Sequence, residues 1–121
     1  MCAHAQDGTV CGWGNAHNGC LGPGETGYCV SPIHISLPAL LGRVLCVAAG
    51  DSHSLAVTAQ GAVVAWGRDT HGQLGLGGAR GTTRPVPKRV EGNLRRHVVV
   101  AVAAGAHHSV VCTDKGEVWC W

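Results

Sequence analysis

Imidazole, thiol and hydroxyl groups are the side chains of this chain that could do chemistry, and their spacing decides which chemistry is open. Eight His and seven Cys would suit zinc, yet no Cys-x-x-Cys or His-x-x-x-His spacing occurs. Cys2, Cys11, Cys20 and Cys29 stand nine residues apart, but Cys11 falls in an apolar strand pattern. Small buried thiols are therefore expected, with no metal and no cofactor. Asp51, His53, Ser54 and Ser109 include the residue types of a hydrolytic triad. Neighbours on a strand point to opposite faces, however, and neither Ser sits in a nucleophile elbow. No catalytic residue is assigned.

A second group is electrostatic. Six of the nine basic residues (Arg80, Arg84, Lys88, Arg89, Arg95 and Arg96) fall in one segment whose only acid is Glu91. As a solvated loop this segment has no further role. As a partner-binding loop it would meet phosphates or an acidic protein patch, and binding would weaken steeply with salt. The net charge of +2 is too small to imply a polyanion partner for the whole chain.

The elements that must position these groups are short strands. At 45% apolar and 13% charged residues the 121-residue chain belongs with packed sequences. Val, Ala, Leu and Cys supply the apolar share, Phe is absent, and 19 Gly recur at turn-like positions, which predicts an all-β chain. No stretch approaches the roughly 18 apolar residues of a membrane span, and the start lacks the basic and apolar regions of a signal peptide. Seven Cys without such a signal predict reduced thiols in a cytoplasmic or nuclear setting.

The strands belong to a repeat. Ala49, Gly50, His53, Ser54, Thr58, Gly61, Val63 and Trp66 match Ala104, Gly105, His108, Ser109, Thr113, Gly116, Val118 and Trp121, every pair 55 residues apart. Gly8, Val10, Trp13, Gly14, Gly19, Leu21, Gly22 and Pro32 match Gly61, Val63, Trp66, Gly67, Gly72, Leu74, Gly75 and Pro85, every pair 53 apart. Three copies of one unit are present: a partial repeat over 1–43, a full one over 44–97 and a partial one over 98–121. Such a period with fixed Gly and Trp is the mark of a propeller or solenoid, in which each unit is buried against its neighbours. Within one unit, Val44 to Ala49, His53 to Thr58 and Ala62 to Trp66 read as strands of a meander, with Gly61 closing a tight hairpin. Catalysis needs one constellation rather than one per repeat, so His53 and His108 are expected to hydrogen-bond nearby backbone. Trp13, Trp66 and Trp121 are core by register, and Gly72 to Gly78 is expected to turn between blades.

Residues 48 to 77, which contain Gly50, His53-Ser54, Thr58, Gly61, Trp66-Gly67 and the Gly72-Gln73-Leu74-Gly75 run, resemble the repeat of the regulator of chromosome condensation family. The resemblance extends over nearly all the chain, with Gly105, His108-Ser109, Gly116 and Trp121 in the last copy. It implies a seven-bladed β-propeller, of which this chain carries about two blades as a fragment of a larger protein. Alone, such a piece is expected to be marginally stable. The resemblance further implies a protein-protein interaction module or, as the alternative, a guanine-nucleotide exchange factor for a Ran-type small GTPase, with chromatin as a weaker partner and no membrane. A photoreceptor of this fold would carry clustered Trp in a Gly-Trp-x-Arg-His setting, whereas Gly67 to His71 reads Gly-Arg-Asp-Thr-His.

Overall fold

The computed structural model describes residues 2–4, 8–25, 27–38, 42–78 and 81–121. Ten strands form three antiparallel sheets, each made of strands consecutive in the chain. The first holds β1 (Cys2–His4), β2 (Val10–Asn15) and β3 (Tyr28–Ile35). The second holds β4 (Val44–Ala49), β5 (His53–Thr58), β6 (Val63–Arg68) and β7 (Thr83–Arg89). The third holds β8 (Val99–Ala104), β9 (Ser109–Thr113) and β10 (Val118–Cys120). The meander read from the sequence is thus a four-stranded propeller blade with a three-stranded blade on either side. All-β architecture follows, and no helix of the described residues is long and apolar enough to cross a membrane.

Alternation along the central strands explains why they are sandwiched. Leu55 and Val57 of β5 pair across the sheet with Ala65 and Val63 of β6 and face the third sheet. Ala56 pairs with Val64 and, together with Trp66, faces the first. Every residue of β5 is buried. A strand covered on both faces loses the polar alternation of a half-exposed one, and each fully buried Leu or Val contributes about 1.5–3 kcal/mol.

Turn chemistry closes the hairpin between β5 and β6. Gly61 has φ +78°, and its N–H donates to the Thr58 carbonyl at 2.9 Å. The Thr58 hydroxyl accepts from the Ala62 N–H at 3.3 Å. The third sheet repeats this with Gly116, Thr113 and Glu117. Thr at this position of the repeat is therefore a turn cap, and Gly supplies the positive φ that other residues reach only with strain.

The outermost strands carry proline: Pro32 in β3, Pro85 and Pro87 in β7. Proline cannot donate to a ladder, and edge strands are where a sheet tolerates it. The segment read as a basic loop is corrected by this: Thr83–Arg89 is the fourth strand of the central blade, followed by a 3-10 turn over Gly92–Arg96. The Gly72–Gly78 turn is corrected as well. It joins β6 to β7 within one blade rather than two blades to each other.

Candidate interaction surface and the seams beneath it

Repeat residues that recur at fixed spacing meet at the seams between blades. At the first seam the Cys20 carbonyl accepts from the Ser54 hydroxyl at 3.1 Å and from the Trp66 indole N–H at 2.9 Å. At the second, the Gln73 carbonyl accepts from the Ser109 hydroxyl at 2.6 Å and from the Trp121 indole N–H at 2.8 Å. Ser54 lies opposite Trp66 across β5 and β6, so both donors leave one face of the sheet and converge on one oxygen. At the other end of each seam a backbone clip repeats: Val44 N–H to Gly8 carbonyl at 3.1 Å, Val99 N–H to Gly61 carbonyl at 3.0 Å. A side chain cannot be fitted there, because a Cβ on Gly61 would stand 2.8 Å from the Val98 Cα. Gly75 is held likewise, its Cβ position lying 2.7 Å from Trp121 Nε1.

His53 joins the second seam. Its Nε2 lies 3.0 Å from the Ser109 hydroxyl of the next blade, and both side chains are fully buried. The sequence expectation named backbone alone; besides the pull of the His108 carbonyl, the ring meets a side chain 56 residues away. The pair has the residue types of a nucleophile and its base but not their setting. Ser109 donates its one proton to Gln73, no carboxylate among the described residues bonds the imidazole, and both side chains are shut off from solvent. Burial, opposed by a weaker pull from the His108 carbonyl, pushes the His53 pKa below the ordinary imidazole value. His108, at the same place of the repeat in the third sheet, is exposed.

The remaining repeat residues also serve the architecture. Trp66 is fully buried, whereas Trp13 and Trp121 are only half-buried, a correction to their reading as core. Leu74 is buried in the cluster between the second and third sheets. Gly50 and Gly105 leave room for the rings of His53 and His108, since a Cβ on Gly50 would lie 2.6 Å from His53 Cε1. Gly67 approaches the Ser52 carbonyl with φ +113°, and Gly72 accepts the Gly75 N–H in the β6–β7 turn at 3.1 Å.

The basic residues divide. Arg84 turns inward, pairing with Asp69 at 3.3 Å and donating to the Gly77 carbonyl at 2.7 Å, and so ties the β6–β7 turn to β7. Arg89 is half-buried. Lys88, Arg95 and Arg96 are exposed, Arg95 within 4.0 Å of Glu91, and Arg80 lies outside the described residues. Three of the six therefore form the accessible cationic face, on β7 and the turn after it. Beside it a groove of ≈ 290 Å³ is lined by Arg84, Pro85, Val86 and Lys88. That is small against the roughly 300–1,000 Å³ of ligand pockets. Among the described residues no group of three or more His, Cys, Asp or Glu is placed to hold a metal.

Sequence reasoning missed the acceptors of the seam. Cys20 and Gln73 act through backbone carbonyls, which no side-chain pattern reveals; the 53-residue spacing of the Gly-x-Leu-Gly runs was the available signal. It also missed the stack of His71 on His107, ring centroids 4.2 Å apart, which joins exposed turns of adjacent blades.

Comparison with known proteins agrees with this geometry. The family model described as the regulator of chromosome condensation (RCC1) repeat matches residues 7–57 and 60–112, and a second model of the same description matches 44–73. The chain is 39% identical over 121 residues to the ultraviolet-B receptor UVR8 of Arabidopsis thaliana, covering 98% of this chain and 26% of that one. It is 39% identical over 115 residues to the human E3 ubiquitin-protein ligase HERC2, covering 95% of this chain and 2% of that one. Among solved structures, human WBSCR16 superposes with a TM-score of 0.80 at 28% identity, over 97% of this chain and 29% of that one. Prp20p of Saccharomyces cerevisiae, whose structure was described with its binding properties to Gsp1p and histones, superposes with a TM-score of 0.76 at 24% identity, over 89% of this chain and 27% of that one. The chain thus spans about a quarter, or far less, of the length of these curated relatives.

Proposed function

The chain belongs to the regulator of chromosome condensation (RCC1) repeat family, and from that premise we propose that it supplies blades to a larger propeller whose rims and edge strands bind a protein partner. One observation carries this reading. The polar groups of the repeat motif are spent on the seams, with Ser54, Trp66, Ser109, Trp121 and His53 all bonded between blades. What is left for a partner is the exposed surface, chiefly Lys88, Arg95 and Arg96 with the exposed Val86 beside them. Loops and edges of a rigid scaffold are where binding residues concentrate. The unit over 44–97 is taken as the full repeat of that scaffold, and the scaffold itself as part of a longer protein in the cytoplasm or nucleus.

Family membership also supports a second reading, guanine-nucleotide exchange on a Ran-type small GTPase, in which protein contacts alone weaken nucleotide binding and no side-chain nucleophile is needed. Chromatin is the partner least supported, because the accessible cations are few.

Both readings are tested by measuring partner retention at low and high salt with Lys88, Arg95 and Arg96 changed together to Ala, beside nucleotide release from Ran. Retention lost at low salt, with release unchanged, supports the interaction module. Accelerated release by the unaltered protein establishes exchange in its place. Retention unchanged by the triple substitution removes the cationic face from the proposal.

A further inference from the structure

The two seams share their hydrogen-bond plan, and at the second a buried imidazole joins it. At the first, the Cys20 carbonyl and its two donors contain nothing that titrates near neutrality. At the second, the same plan includes the buried imidazole of His53.

The protons at this point can be placed. Ser109 has a single hydroxyl proton, and at 2.6 Å it is given to the Gln73 carbonyl. Ser109 can then only accept from His53, which assigns a proton to Nε2 and leaves Nδ1 as a bare lone pair. Nδ1 is buried and has no hydrogen-bond partner. Gly50 packs against that side of the ring, where a Cβ would stand 2.8 Å from Nδ1. The charged groups around the ring are Asp51 from the β4–β5 turn, which favours a positive imidazole, and His107 and His108 from the β8–β9 turn, which oppose it. Asp51 is exposed, so water screens its share.

We propose that the His53–Ser109 contact is an acid-sensitive latch: protonation of His53 opens the seam between the β4–β7 and β8–β10 sheets. The added proton falls on Nδ1 and creates a charged donor without an acceptor in a closed site, an arrangement more costly than a bare lone pair. Moving the third sheet away admits water to Nδ1 and removes the cost. Because the folded state holds His53 neutral, the seam keeps its full strength above the unfolded imidazole pKa of about 6.5 and weakens as pH falls below it.

Amide hydrogen exchange on the whole chain between pH 7.5 and 5.0, corrected for intrinsic rates, tests this. Protection of β8 and β9 is expected to fall by up to about tenfold per pH unit below the imidazole range, the limit for one linked proton, while that of β5 and β6 holds. His53→Gln keeps a donor toward Ser109 but cannot titrate, and should flatten the response. His107→Ala and His108→Ala should preserve it. If His53→Gln does not fold, the ring resonances of the unaltered protein decide, since His53 should titrate in step with the loss of β9 protection. An acid response that survives His53→Gln, that is abolished by His107→Ala, or that runs independently of the His53 titration overturns the latch.

Discussion

The indole N–H of Trp66 reaches the carbonyl oxygen of Cys20 at 2.9 Å, across 46 residues of chain and from one blade to the next. Trp121 does the same to Gln73. A tryptophan here is thus both a packing group and a donor, and the two contributions separate by substitution. Trp66→Phe retains most of the buried area and removes the donor, while Ser54 still satisfies the Cys20 carbonyl. It is expected to cost about 1–2 kcal/mol, against about 3–5 kcal/mol for Trp66→Ala, in urea unfolding. Equal costs would mean that the bond contributes nothing.

The serines of the two seams should differ. Ser54→Ala leaves the Cys20 carbonyl with its Trp66 bond. Ser109→Ala also removes the partner of the buried His53 Nε2. Ser54→Ala should cost about 1 kcal/mol and Ser109→Ala about 2–3 kcal/mol, compared as midpoint shifts at constant m-value.

Gly61 and Gly116 share a backbone conformation, φ +78° and +79°, and differ in surroundings. A Cβ on Gly61 meets Val98 at 2.7 Å, whereas one on Gly116 meets nothing within 4 Å. Gly116→Ala should therefore show only the left-handed strain of about 1–2 kcal/mol. Gly61→Ala should exceed it by at least about 1 kcal/mol through the added clash. Thermal melts of the two variants side by side check this, and equal shifts would contradict the close approach.

Asp69 holds the β6–β7 turn through two partners, the Arg84 guanidinium and the Leu74 N–H at 3.2 Å. Its side chain is 4% exposed and that of Arg84 26%. Asp69→Ala leaves the Leu74 amide without its acceptor and takes one partner from Arg84, which keeps its bond to the Gly77 carbonyl, and should cost about 2–4 kcal/mol. Limited proteolysis between residues 69 and 82 should quicken in the Asp69 variant.

The fold was legible because the repeat copies the same physical needs at the same places. Gly61, Thr58 and Trp66 each answer one local demand (a positive φ, a turn acceptor, a large packing group), and their recurrence 55 residues later displays the blade. The bonds between blades were hidden for a corresponding reason. They end on backbone carbonyls, and on pairs such as His53 with Ser109 whose meeting depends on how one sheet is laid on another. The run of basic residues from Arg84 to Arg96 read as a loop, whereas Thr83–Arg89 is an edge strand, where proline is tolerated. Arg84 read as surface charge because its partner Asp69 lies 15 residues away across a turn.

Each sheet is assembled from strands that follow one another in the chain, whereas each seam bond joins residues 34 to 56 positions apart. Hairpins close in about 1–10 μs, but a ribosome supplies about 5–20 residues per second. During synthesis the Cys20 carbonyl thus stands ready for roughly 2–9 s before Trp66 has been made. For the last part of that interval, about 2–6 s from the completion of β3 at Ile35, the newborn blade is a finished sheet with an uncovered face, and its safekeeping falls to whatever meets the nascent chain at the tunnel exit.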